Sequence, residues 1–277
     1  MIITVVGLGV VGGSFVKALK GQGHEVYGVD VDEETLARAK ADGCIKEGFV
    51  DVREIIKKSD MTIICLYPSL VLDYIKNHEF KKGSIITDAV GVKTHFLNEA
   101  MDLLKDKDVE FVSGHPMAGR ENKGYLYASK EVFQGANYIL IQHEENSKSA
   151  IAMMEQFVSN LGFHSVKIMS PQAHDEIISF TSQLPHVIAV SLIDSDNQKY
   201  DTGKYIGDSY RDLTRIANIN EDLWTELFFT NKDNLLKSIQ GFEDQLDILK
   251  KAIKEEDSQT LKAMFIESSK RRRNLEK

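Results

Sequence analysis

The sequence predicts an α/β domain with a mostly parallel sheet, followed by an all-α domain. Three observations carry that prediction. Short β-branched runs alternate with helical stretches up to about residue 168, and such alternation makes a parallel sheet wound with right-handed crossovers. A glycine-rich turn, Gly7-Leu8-Gly9-Val10-Val11-Gly12, follows the first run directly. From Ser170 onward the strand signal disappears. The domains are expected at 1–168 and 169–277, with the boundary near 166–170.

In chain order, strands are predicted for IITVV at 2–6, EVYGVD at 25–30, MTIICL at 61–66, SIITDA at 84–89, VEFVSG at 109–114 and NYILIQ at 137–142. Most are near-continuously apolar, as strands covered on both faces must be. Between the second and third lies a helical segment that Glu33 and Glu34 open and Gly43 closes. The stretch GHPMAGRENKG at 114–124 has no apolar periodicity, so it is expected as a loop that holds His115 beyond a strand end. Ser170 followed by Pro171 reads as an N-cap and first helical residue. Pro185, inside the helix that follows, is expected to kink it. Asn220 caps a further helix. Leu235, Ile239, Phe242, Leu246, Leu249 and Ile253 then keep an a/d heptad, long enough for a helix-helix seam within the chain or between subunits. A last helix starts near Asp257 and carries a basic run, Lys270 to Arg273, at its negative end.

The bulk numbers exclude several classes. Of 277 residues, 42% are hydrophobic and 27% charged, the balance of a soluble globular protein. A net charge of −8 argues against a nucleic-acid partner. Two cysteines without a CxxC, and no clustered histidines, predict neither a metal site nor a disulfide framework. The N-terminal MIITVVGLGVVGG has no basic region and no cleavage site, and no uninterrupted apolar run reaches 18 residues. A signal peptide and a membrane span are therefore not expected, and a cytoplasmic location is.

The glycine turn carries the first chemistry. Gly7 permits a tight turn, Gly9 lets the backbone approach a pyrophosphate, and Gly12 lets the helix pack on the sheet. The N–H groups at the start of that helix, around Val10 and Val11, offer a positive dipole to phosphates. Asp30 ends the next strand, where it would bind ribose hydroxyls and repel a 2′-phosphate; no arginine follows in 31–34. This is a Rossmann-type arrangement that favours NAD. TDAVGVK at 87–93 also follows a strand, so Asp88 and Lys93 either face the ligand or are a helix cap and a solvated lysine. His115, with an ordinary pKa near 6.5, suits a general base. Arg211 and Arg215 stand four residues apart on one helical face, where cations could hold carboxylates. Trp224 has the position of a hydrophobic staple with Ile219. Asp175 lies about 16 Å along the helix from His186, so it is assigned to the domain junction or to orienting another group.

GLGVVGGSF, TDAVGVK, SGHPMAGRENKG, SQLPHVIA, RDLTRIA and NEDLW occur in that order. Together they resemble prephenate dehydrogenase and the related arogenate dehydrogenase. The resemblance implies oxidative decarboxylation of a cyclohexadienol to a phenol on the route to tyrosine, with NAD or NADP taking the hydride. It implies that His115 faces the ring hydroxyl, that His186 helps hold the substrate side chain, and that Arg215 binds a carboxylate. It further implies that Trp224 lines the pocket, that Arg211 lies near it and that Glu121 reaches toward a neighbouring subunit. The long apolar seam from Leu235 to Ile253 predicts a homodimer through the helical half. Where relatives often have serine in a D-x-x-S-x-K pattern, this chain has Gly91. The alternatives are arogenate as substrate, a β-hydroxyacid dehydrogenase of the same architecture, and a non-catalytic NAD-binding sensor.

Overall fold

A computed structural model of the chain describes residues 1–51, 53–119 and 122–275; Glu121 lies outside them. The first part alternates β1 (Ile2–Val6), α1 (Val10–Leu19), β2 (Glu25–Val29), α2 (Glu33–Ala41), β3 (Glu47–Phe49), α3 (Arg53–Ile56), β4 (Met61–Ile64), α4 (Pro68–Asn77), β5 (Ile85–Asp88), α5 (Thr94–Leu104) and β6 (Glu110–Phe111). The six strands are parallel in the order β3-β2-β1-β4-β5-β6. The order reverses between β1 and β4, which opens a crevice at their carboxyl ends. Ile3, Val5 and Ile63 pack on one face with Phe15 and Leu19. Val6, Ile64 and Ile86 pack on the other with Ile75, Phe96 and Leu97. Burial on both faces is why these runs lack alternation.

The last predicted strands depart from the expectation of one sheet. β7 (Gly114–Pro116), β8 (Asn137–Ile141), α6 (Lys148–Ser159) and β9 (Ser165–Met169) build a second sheet, ordered β7-β8-β9. β7 runs antiparallel to β8, with His115 opposite Ile139, and β8 runs parallel to β9. Val112 N donates to Ile86 O in the first sheet, whereas Ile141 N donates to Ser113 O in the second. The chain therefore crosses between sheets at Val112 and Ser113. His115 stands on a strand, not on a loop as the absence of periodicity suggested. Three residues are too few for alternation to register, and the pairing comes from a partner over twenty residues away.

The helical part holds α7 (Pro171–Ile178), α8 (Leu184–Asp194), α9 (Asp208–Thr214), α10 (Glu221–Thr230), α11 (Lys232–Lys254) and α12 (Ser258–Asn274). Ser170 Oγ accepts Ala173 N, and Asp257 accepts Gln259 N and Thr260 N, as N-caps do. Between α7 and α8, Ser179–Gln183 form a π-helical turn just before Pro185. The effect of the proline appears as this widened turn, which absorbs the missing N–H while the helix continues. The resulting 24-residue helix, 171–194, is by length and a mean hydropathy of 1.3 over its most apolar window long enough to cross a membrane, against expectation. Polar residues such as Ser179, Thr181, Ser182 and Gln183 interrupt the apolar run, yet the aliphatic residues around them keep the average high. Only 28% of that window is buried within the chain, and Phe180 is 62% exposed.

Two contacts fasten the helical part over the crevice. Neither α4 nor α5 is capped by its own N-cap side chain. Glu226 on α10 instead accepts Ser69 N at 2.7 Å. Asp175 on α7 accepts Lys93 N at 2.8 Å and Thr94 N at 2.7 Å. Each carboxylate also meets the positive end of a helix dipole. Asn220 Nδ2 adds a bond to Tyr67 Oη at 2.8 Å.

Candidate active site

The glycine turn is shaped by what a side chain would strike. Gly7 has φ +81, and a Cβ there would stand 2.6 Å from Cys65 O. A Cβ at Gly12 would stand 1.8 Å from Gly7 O. At Gly9 it would meet nothing within 4 Å, so the open side of the turn lies there. Gly9 is also the N-cap of α1 and gives no side-chain bond, leaving the N–H groups of Val10 and Val11 to an incoming anion. Leu8 is buried, and its N–H donates to Asp30 Oδ2 at 2.7 Å while Asp32 N donates to Oδ1 at 3.0 Å. Asp30 is thereby fixed at the end of β2. Arg38, the first cation after it, is tied to Glu34. These residues fit a dinucleotide with a free 2′-hydroxyl.

Deeper in the crevice, Asp88 and Lys93 form a fully buried ion pair at 2.7 Å, neither a helix cap nor a solvated lysine. Ser113 Oγ donates to Asp88 at 2.6 Å, and Lys93 Nζ donates to Gly114 O at 2.7 Å. A buried charge needs such company, since losing one partner costs about 3–5 kcal/mol. The ammonium thus anchors the backbone directly before His115. Burial lowers the Lys93 pKa, opposed by Asp88.

His115 is half-buried, and its Nδ1 lies 2.9 Å from His174 Nε2. His174 Nδ1 in turn lies 2.8 Å from Asp175 Oδ1. Burial, then His174 and Lys93, push the His115 pKa well below the ordinary imidazole value. It is neutral at neutral pH, as a proton acceptor must be. A side-chain carbon at Gly91 would stand 3.7 Å from His115 Nε2 and 3.4 Å from Leu227, so Nε2 looks toward Gly91 and the helical part. The line from Asp175 through His174 is absent from the sequence reading. Its one local signal is that an adjacent His-Asp pair opens a helix; the approach of that helix to β7 is tertiary.

α10 closes the site from above. Gln183 Nε2 donates to Leu227 O at 2.9 Å. Asn231 Nδ2 bonds both Gln183 Oε1 and Asp175 O. This buried network, also unforeseen, sets Leu227 over Gly91. One turn earlier on α10, Trp224 stacks on His186 with ring centroids 3.6 Å apart. His186 Nδ1 bonds Ser182 O at 2.8 Å, and burial lowers its pKa. Arg215 is exposed at the start of a short 3-10 turn, Arg215–Ala217, that packs against α8. Arg211 is exposed and paired with Asp208 at 3.0 Å. The structure thus links His115 through Gly91 and Leu227 to α10, where Trp224 stacks on His186 of α8, while Arg215 lies in the turn packed on α8 and Arg211 is turned to Asp208. Among the described residues no cluster of His, Cys, Asp and Glu could hold a metal ion.

The family model for the prephenate dehydrogenase nucleotide-binding domain matches residues 15–167, and that for its dimerization domain matches 170–267. A prephenate dehydrogenase of Bacillus subtilis is 28% identical over 272 residues, covering 95% of this chain and 73% of that protein. The crystal structure of prephenate dehydrogenase from Aquifex aeolicus, in complex with hydroxyphenyl propionate and NAD+, superposes with a TM-score of 0.88 at 28% identity. It covers 99% of this chain and 98% of that one. A Synechocystis arogenate dehydrogenase gives 0.83 at 25% identity, covering 99% and 100%. With both halves matched in order, the chain belongs to the prephenate dehydrogenase family.

Proposed function

We propose that this chain converts prephenate to 4-hydroxyphenylpyruvate by NAD-dependent oxidative decarboxylation, a step toward tyrosine. The observation that carries the reading is the setting of His115. It is a neutral imidazole at the mouth of the crevice, backed by His174 and Asp175, within the fold that holds the dinucleotide. NAD supplies the hydride acceptor. Gly7, Gly9 and Gly12 would let its phosphates approach the N-terminus of α1, and Asp30 would accept the adenosine ribose hydroxyls and repel a 2′-phosphate. His115 Nε2 takes the proton of the ring hydroxyl as the carbinol C–H leaves as hydride, and the carbinol becomes a ketone. The C–C bond to the ring carboxylate then breaks, its electrons enter the ring, and CO2 departs. Aromatisation drives that step, and the proton on Nε2 returns to the oxygen of the new phenol. Arg215 contributes charge and orientation for a substrate carboxylate, with Arg211 as an outer cation. Trp224 and His186 hold the side chain.

The active unit is a homodimer through the helical half, in keeping with the dimerization-domain match and the half-exposed heptad. Two free cysteines accord with a reducing cytoplasm. A second reading, arogenate as substrate, is favoured by the full-length likeness to an arogenate dehydrogenase. Following NADH formation with prephenate and with arogenate decides between them, and repeating it with NADP tests Asp30. Faster turnover of arogenate displaces the first reading. No turnover of either, with NAD bound, leaves a sensor.

A further inference from the structure

His174 lies between His115 and a buried carboxylate, and the far end of that line determines who donates along it. Asp175 accepts Lys93 N and Thr94 N besides facing His174 Nδ1. Backbone N–H groups only donate, so a carboxylate that takes two of them is held as the anion. Burial raises the Asp175 pKa, but hydrogen bonds from His174, Thr94 and the backbone outweigh it, and the net direction is down. An anionic Asp175 only accepts, so His174 carries a proton on Nδ1. His174 is fully buried, and burial lowers its pKa against the pull of Asp175. It is a neutral ring, with a bare lone pair at Nε2. That lone pair faces His115 Nδ1 at 2.9 Å, where two lone pairs cannot meet. His115 must donate there, which leaves its own Nε2 bare on the side of Gly91.

We propose that His174 is a positioning residue that locks His115 in the tautomer protonated on Nδ1, keeping Nε2 as the acceptor for the substrate hydroxyl proton. This rests on the reading of His115 as the base. Once Nε2 is protonated, the Nδ1–H bond to His174, with Asp175 behind it, steadies the new imidazolium. An imidazole released from that bond divides its proton between two nitrogens, and the form protonated on Nε2 cannot accept. In triads built on the same logic, a wrong tautomer lowers kcat by about 10⁴.

The test combines a spectrum with kinetics. Nitrogen-15 NMR of histidine-labelled protein with NAD bound, with the His115 signals identified by their loss in His115→Asn, should show Nδ1 protonated and Nε2 bare at neutral pH. In His174→Phe the proton should redistribute and kcat should fall about 10²-fold. KM for the substrate and NAD affinity should stay within about twofold. In His174→Gln the amide oxygen reaches where Nε2 stood and should recover most of the rate; His174→Asn satisfies Asp175 alone and should not. A wild-type His115 protonated on Nε2, or a His174→Phe enzyme with unchanged kcat, overturns the proposal. If the phenylalanine variant does not fold, equal rates in the glutamine and asparagine variants overturn it. The spectrum is independent of turnover. Absent activity with the predicted tautomer sinks the substrate reading while supporting the lock, and activity with the opposite tautomer does the reverse.

Discussion

The proton removal proposed for His115 depends on a ring that is neutral when substrate arrives, and its surroundings favour that form. Its lowered pKa places the acid limb of kcat below pH 6.5, because protonation, which disables the base, needs a lower pH than for a free imidazole. His115→Asn keeps a hydrogen-bonding group but no proton acceptor. It should lower kcat by about 10²–10⁴, abolish the acid limb, and change thermal stability little. A pH-rate profile of both proteins checks this, and a kcat within threefold of wild type would exclude proton transfer by His115. His115 could be singled out in the sequence as a candidate base because a histidine among glycines past a strand is a local pattern. His174 was not, because its role exists only where α7 meets β7. Lys93 was left between two readings for the same reason. Nothing in TDAVGVK tells a solvated lysine from one enclosed by Asp88 and Gly114 O.

At the scale of elements, the two helices beside the crevice owe their N-terminal caps to another part of the chain. Glu226→Ala removes the acceptor for Ser69 N and the charge at the start of α4. The loss should be about 1 kcal/mol, a fall of about 2–4 °C in Tm for a chain near this size. Glutamine, which still accepts, should restore most of it. Differential scanning calorimetry of the two variants makes the comparison; identical Tm values would mean that the contact contributes nothing. The central strands β1, β4 and β5 were foreseen because they are buried on both faces. β3 was missed because three residues, one of them glycine, carry no pattern. β9 was missed because it edges the small sheet, with Ile168 41% exposed and a lysine beside it. The heptad on α11 was legible as a seam. What it faces was not, since spacing is indifferent to whose helix lies opposite.

For the whole molecule, the exposed apolar surface and the buried histidines each predict a measurable property. Leu246 and Ile253 are 47% and 59% exposed in the single chain, although they continue the heptad. Sedimentation at micromolar concentration should give a dimer, and Leu246→Lys should shift it toward monomer without unfolding it. A wild-type monomer with full activity would refute the arrangement. His115, His174 and His186 all have lowered pKa values, so below about pH 6.5 the unfolded chain binds more protons than the folded one. Stability is then fully present above that pH and declines as pH falls through it. Denaturant midpoints at pH 7.5 and 5.5 should differ in that sense, and by less in His115→Asn. The carboxylates of Glu226 and Asp175 have a wider consequence for engineering. Family members invite chimeras, in which the nucleotide-binding part of one is grafted onto the substrate part of another to change cofactor preference. Here such a graft would leave Ser69 N and Thr94 N facing whatever the new neighbour supplies. A working exchange must carry residues 175 and 226 with it, so the transplantable unit is cut along these contacts and not at the junction between β9 and α7.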